Sequence, residues 1–144
     1  MKKTILAIGA HADDCIFGVG ATLLKAVARG YEAHCLSLTR NVSDSRVEAL
    51  TALCRGYRIA FQCLDYASQA LAIDLESKTT VAKAVADIEP EIVFLIWPRD
   101  LHVDHQVAGE LGMIPLRQGH RLHPKPFRIP RKILYYDMGP AHSI

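Results

Sequence analysis

The sequence predicts an α/β protein, a doubly wound three-layer sandwich built on a mostly parallel sheet of about five strands. Two observations predict it. Near-continuous apolar runs such as "TILAIGA" (4–10) and "EIVFLIW" (91–97) have the pattern of parallel strands buried on both faces. Between such runs lie segments whose apolar residues recur at helical spacing, joined by short links, so strands and helices alternate as parallel crossovers require. The 144 residues, half of them apolar and 22% charged, suit a single α/β domain over 1–144 with one core.

Each element follows in order. "TILAIGA" is the first strand. "GVGATLLKAVARG" (18–30) is the first helix, stopped at Gly30, because glycine readily takes the left-handed conformation that ends helices. "AHCLSLT" (33–39) is the second strand. "SDSRVEALTALCRGY" (43–57) is a helix with Ser43 or Asp44 as N-cap, and it sets Val47, Leu50, Leu53 and Cys54 on one face. "IAFQCLD" (59–65) is the third strand. "LESKTTVAKAVADIE" (75–89) is a helix capped by Asp74 and stopped before Pro90, whose ring disfavours helical backbone in the preceding residue. "EIVFLIW" is the fourth strand and "DHQVAGELGMI" (104–114) the last helix. A basic loop over 117–132 then leads to the fifth strand, "KILYYDM" (132–138).

Composition excludes several function classes. No window approaches the roughly 18 uncharged apolar residues of a membrane span. The opening "MKKTILAIGAHADD" has early charges and no small-residue cleavage site, so it reads as a strand rather than a signal peptide and favours the cytoplasm. Cys15, Cys35, Cys54 and Cys63 show no CxxC spacing; three fall in predicted strands or helices as buried thiols, and only Cys15 lies inside a polar motif. The net charge of +2 is uneven, because residues 117–132 hold six Lys/Arg and no acid. Such a stretch could attract an anion, but Phe127 is its one stacking face, which argues against a nucleic-acid partner.

In doubly wound sheets, ligands bind beyond the carboxyl ends of the strands, where the strand order reverses. Two polar clusters fall at such ends: "HADD" (11–14) after the first strand and "RDLHVDH" (99–105) after the fourth. Strands one and four flank the reversal, so His11, Asp13, Asp14, His102, Asp104 and His105 are expected to converge. Two imidazoles and a carboxylate with one open position make a catalytic zinc site, and spare acids and imidazoles can serve as general base and oxyanion donor.

"GAHADDCIFGVGATL" and "DLHVDHQVAG" resemble the PIG-L/LmbE-like zinc deacetylases, which remove acetyl groups from N-acetylglucosaminyl conjugates and related amino sugars. The matching positions are His11, Asp13, Asp14, Gly18, Gly20, Thr22, Leu23, His102, Asp104 and His105, with "RVEAL" (46–50) as a looser third match. The resemblance implies a Rossmann-like fold, a Zn2+ cofactor, a small-molecule amino-sugar conjugate as substrate and a homo-oligomer. It makes His11, Asp14 and His105 the zinc ligands and Asp13 the general base. It makes His102, oriented by Asp104, the group that stabilises the oxyanion and helps protonate the departing amine, and it sets Arg46 near the sugar. Ala12 stands where proline is commoner, Cys15 where an acid is frequent and Ala21 where glycine is usual. Family members continue past the fifth strand, so the chain corresponds to about the first two-thirds of a family domain.

Two other readings compete. "HAD" (11–13) with His105 fits the His-x-Asp…His triad of non-haem iron oxygenases, although those triads sit on all-β scaffolds. "GVG" (18–20) opens a helix after a strand, as in a nucleotide-binding module. Its first glycine does not follow the strand directly, however, and no third glycine completes the fingerprint. Trp97 and Pro98, closing the fourth strand, are expected to shape the pocket wall.

Overall fold

All six residues of the first strand, Thr4–Gly9, are buried, as a strand with neighbours on both edges and helices on both faces must be. The computed structural model describes residues 3–40, 45–125 and 127–139. Its elements are β1 (Thr4–Gly9), α1 (Asp14–Ala28), β2 (Glu32–Thr39), α2 (Arg46–Gly56), β3 (Ile59–Tyr66), α3 (Leu75–Ile88), β4 (Ile92–Ile96), α4 (Val103–Leu122) and β5 (Lys132–Tyr136). The five strands form one sheet in the order β3-β2-β1-β4-β5, with every pairing parallel. The order reverses between β1 and β4, as the sequence implies.

Consecutive strand residues point to opposite faces, and β1 shows both layers at once. Ile8 faces α4, its Cγ2 lying 3.6 Å from where a Cβ on Gly112 would stand. Gly9 faces α1, against Asp14 and Cys15. The core joins Leu6, Ile8, Leu36, Leu38, Leu95 and Ile96 of the sheet to Leu23, Val81, Leu111 and Leu116 of the helices, all essentially inaccessible. No described helix is long and apolar enough to cross a membrane.

Three boundaries differ from the sequence reading by three residues or more. Helix α1 starts at Asp14, four residues before Gly18, which sets Asp13 at its N-cap and Asp14 in its first turn. For α2, Ser43 and Asp44 lie outside the described residues; the N-cap is Ser45, whose side chain makes no capping bond. Helix α4 runs on through Pro115 to Leu122, so the first part of the expected basic loop is helical. Its buried face explains this: Ala108, Leu111, Gly112, Pro115, Leu116 and Gly119 keep the helical period across the proline. Burial of that stripe offsets the roughly 3 kcal/mol that an interior proline costs. The Asp74 cap is as expected, forming a reciprocal capping box with Ser77.

Glycine is demanded where α4 crosses the end of β4. A Cβ on Gly109 would stand 2.5 Å from the Ile96 carbonyl oxygen and 2.9 Å from Pro98 Cβ. That close approach brings the start of α4 up to the sheet. Gly109→Ala is therefore expected to destabilise the fold by about 1–3 kcal/mol through overpacking, read as a lower urea midpoint. Gly56→Ala, where nothing lies within 4 Å, is the matched control and should not lower it.

Candidate metal centre

The motif residues after β1 build the first half of the site. Asp14 Oδ2 accepts the backbone N–H of Ala10 at 3.0 Å and of His11 at 2.7 Å, so the turn into α1 locks the carboxylate. The second half comes from the loop after β4. Asp100 accepts His102 N–H on Oδ1 at 2.8 Å and contacts His105 Nδ1 through Oδ2 at 2.8 Å. The two halves meet. His105 Nε2 lies 3.3 Å from both His11 Nδ1 and Asp14 Oδ2, and His11 Nδ1 lies 3.6 Å from Asp14 Oδ2.

That triangle can be tested against a metal. Zinc bonds of about 2.0–2.1 Å in tetrahedral geometry separate neighbouring donor atoms by about 3.3–3.4 Å. The three separations match to within a few tenths of an ångström. The outer nitrogens fit as well: His11 Nε2 donates to Asp104 Oδ2 at 2.9 Å, and His105 Nδ1 donates to Asp100. Each imidazole is thus backed by a carboxylate that fixes its tautomer and turns its other nitrogen toward the shared point. A second group, His11, His102 and Asp104, is also close enough to hold an ion. Its Asp104 Oδ2 already carries three donors, Ser68 Oγ at 2.7 Å, Gln69 N at 3.0 Å and His11, against the two backbone donors on Asp14 Oδ2. His11 Nε2 is committed to that oxygen, so the first group is the better cradle.

The charges agree. Burial would raise the Asp14 pKa, but hydrogen bonds from His105 and His11 hold it well below the usual carboxylate range. Burial would likewise lower His105, yet Asp14 and Asp100 lift it to about 9; His11 is raised against burial by Asp14 and Asp104. His102 is the exception, lowered by burial and by the neighbouring imidazoles. As N-cap of α4 it accepts Asp104 N–H on Nδ1 at 3.1 Å, so the neutral ring carries its proton on Nε2.

The motif residues singled out in the sequence all gather around this point, but one role changes. The expected carboxylate contact from Asp104 to His102 is absent. Asp104 spends its carboxylate on His11 and reaches His102 only through its backbone N–H. Asp13, the N-cap residue of α1, makes no side-chain capping bond; its Oδ2 pairs with Arg46 Nη1 at 3.3 Å. A cavity of about 450 Å³ opens over the cluster, lined also by Arg46, Phe17, Ser68 and Met138. Trp97 is not on that wall: its ring packs edge-on to Tyr135 at 5.2 Å. Cys15 points into the core, 3.8 Å from Tyr136 Oη, away from the candidate ligands.

Sequence reasoning missed Asp100, Ser68 and Gln69. Asp100 had a signal, an acid at a strand end five residues before His105. Ser68 and Gln69 follow β3 with no motif around them. Of the "GVG" glycines, Gly18 serves packing, because a Cβ there would overlap the Tyr136 ring; both glycines lie inside α1 rather than in a loop between strand and helix. The oxygenase reading lacks its triad, because Asp14, not Asp13, shares the donor group with His11 and His105.

These features define a doubly wound α/β protein with a two-histidine, one-carboxylate donor set at the reversal of strand order. The chain belongs to the PIG-L family, whose model, GlcNAc-PI de-N-acetylase, matches residues 6–114. A conserved protein from Thermus thermophilus superposes with a TM-score of 0.81 at 26% identity, over 94% of this chain and 66% of that one. The N,N'-diacetylchitobiose deacetylase from Pyrococcus horikoshii also gives 0.81, at 21% identity over 93% and 60%. The 4-carboxy-2-hydroxymuconate hydratase from Pseudomonas putida gives 0.76, at 18% identity over 89% and 63%. The chain therefore spans between 60% and 66% of the length of these structures.

Because Asp100 orients His105, Asp100→Ala should weaken zinc binding by about 10–100-fold, measured by competition with a chromogenic chelator. Unchanged affinity would remove Asp100 from the centre.

Proposed function

We propose that the protein is a zinc-dependent hydrolase that removes the acetyl group from an N-acetylglucosaminyl-type amide. The observation that carries this reading is the His11–Asp14–His105 triangle with a carboxylate behind each imidazole. Membership of the PIG-L family supports the reaction class. Zinc bound there would polarise the acyl carbonyl and acidify a water.

This chain's residues supply the rest. Asp13 lies one residue from Asp14, makes no side-chain capping bond and opens to the cavity, so its carboxylate takes the proton from the attacking water. Arg46, paired with Asp13, lines the same cavity and faces the sugar. His102 presents Nε2–H as a neutral donor to the oxygen that becomes negative. The proton gathered at Asp13 then passes to the departing amine, which leaves as the carbon–nitrogen bond breaks. The four free thiols accord with a reducing, cytoplasmic setting.

The test is amine release from an N-acetylglucosamine conjugate. Chelator should abolish it and zinc restore it; activity indifferent to chelator would exclude the metal mechanism. Asp13→Asn should keep the metal and lower turnover by about 10²–10⁴-fold, while His105→Ala should lose metal and turnover together. Near-normal turnover in Asp13→Asn would overturn the assignment of the base.

A further inference from the structure

We propose that Ser68 is a positioning residue for the metal ligand His11, acting through Asp104. The inference rests on the metal-centre reading above and extends it to the turn after β3, which no sequence motif marks. Asp104 is 1% exposed, so the direction of its carboxylate is set by what donates to it. On one side His11 Nε2–H meets Oδ2 at 2.9 Å. On the other, Ser68 Oγ–H meets the same oxygen at 2.7 Å, and Gln69 N–H bridges Oδ1 and Oδ2 at 2.8 and 3.0 Å. The terminal torsion of an aspartate is soft. Without the Ser68 donor the carboxylate can turn about the Gln69 contact, and the His11 ring that depends on it turns as well.

The backbone shows how firmly this turn is built. Gln69 holds φ at +64°, a left-handed conformation that a residue with a side chain adopts only when its surroundings enforce it. Its N–H is aimed at Asp104 in that conformation. Ser68 itself lines the cavity beside His11 and lies 3.5 Å from His11 Nε2, whereas Asp104 between them is buried. The Ser68 proton is committed to Asp104, which leaves only lone pairs facing the cavity. The chain Ser68–Asp104–His11 therefore runs from the cavity wall to the donor triangle.

The experiment compares zinc affinity by chelator competition in the wild type, Ser68→Ala and Ser68→Thr, together with the unfolding midpoint of each zinc-free protein. We expect Ser68→Ala to bind zinc about tenfold more weakly, the lower end of the range for partners behind a metal ligand. Its zinc-free midpoint should be unchanged, and Ser68→Thr, which keeps the hydroxyl, should restore the affinity. Wild-type affinity in Ser68→Ala overturns the proposal, as does an equal loss in Ser68→Thr. A midpoint that falls in step with the affinity also overturns it, by assigning Ser68 a structural role. A wild type that binds no zinc overturns the metal centre itself, an outcome distinct from failure at Ser68 alone. Deacetylase activity does not enter the measurement.

Discussion

The pairing of β1 with β4, in register from Ile5–Ile92 to Ile8–Leu95, is the constraint on which the rest of the structure depends. Neighbouring strands lie about 4.8 Å apart, so two chain segments leaving them at the same level must stay near each other. The ring centroids of His11 and His105 accordingly lie 5.1 Å apart, although 94 residues separate them. Every residue of β1 is buried, which leaves the strand one register and one pair of neighbours. A slip by one residue would turn Ile8 away from α4 and carry His11 off the shared point. The close seat of α4 at Gly109 then brings His102, Asp104 and His105 to the same level.

Around that point the electrostatics divide the imidazoles into two kinds. His11 lies between Asp14 and Asp104, and His105 between Asp14 and Asp100. Three buried carboxylates around two rings form a setting that favours added positive charge, supplied by protons or by a divalent cation. His102 has no such partner; a backbone N–H occupies its Nδ1, and its pKa moves down rather than up. One compact cluster thereby holds two cation-seeking imidazoles beside a neutral hydrogen-bond donor. The adjacent acids Asp13 and Asp14 are divided just as sharply. Where α1 begins, Asp14 faces inward under two backbone donors, while Asp13 remains at the cap and part-exposed beside Arg46.

The related structures include both a deacetylase and a hydratase, so the fold alone leaves the chemistry open and the side chains at the switch point decide it. Much of the floor beneath those side chains is plain packing. Tyr136 of β5 crosses under the site, donates to the Ile8 carbonyl at 3.0 Å and fills the space beside Gly18. Gly18, which in isolation resembles part of a phosphate-binding glycine motif, is there to admit a ring.

The amino-acid sequence by itself determined the order of strands and helices, the reversal at β1 and β4, and the gathering of the two histidine–aspartate motifs. The first follows from local periodicity, and the other two from the strand order usual in doubly wound sheets. It did not determine where α4 ends, since Pro115 and the basic residues after it look like a loop until the buried stripe from Ala108 to Gly119 outweighs them. Nor did it assign the carboxylates: Asp104 reads as the partner of its near neighbour His102, yet it is bonded to His11 across the sheet. Asp100, Ser68 and Gln69 joined the site only in three dimensions, because a hydrogen bond depends on direction and distance and not on spacing along the chain.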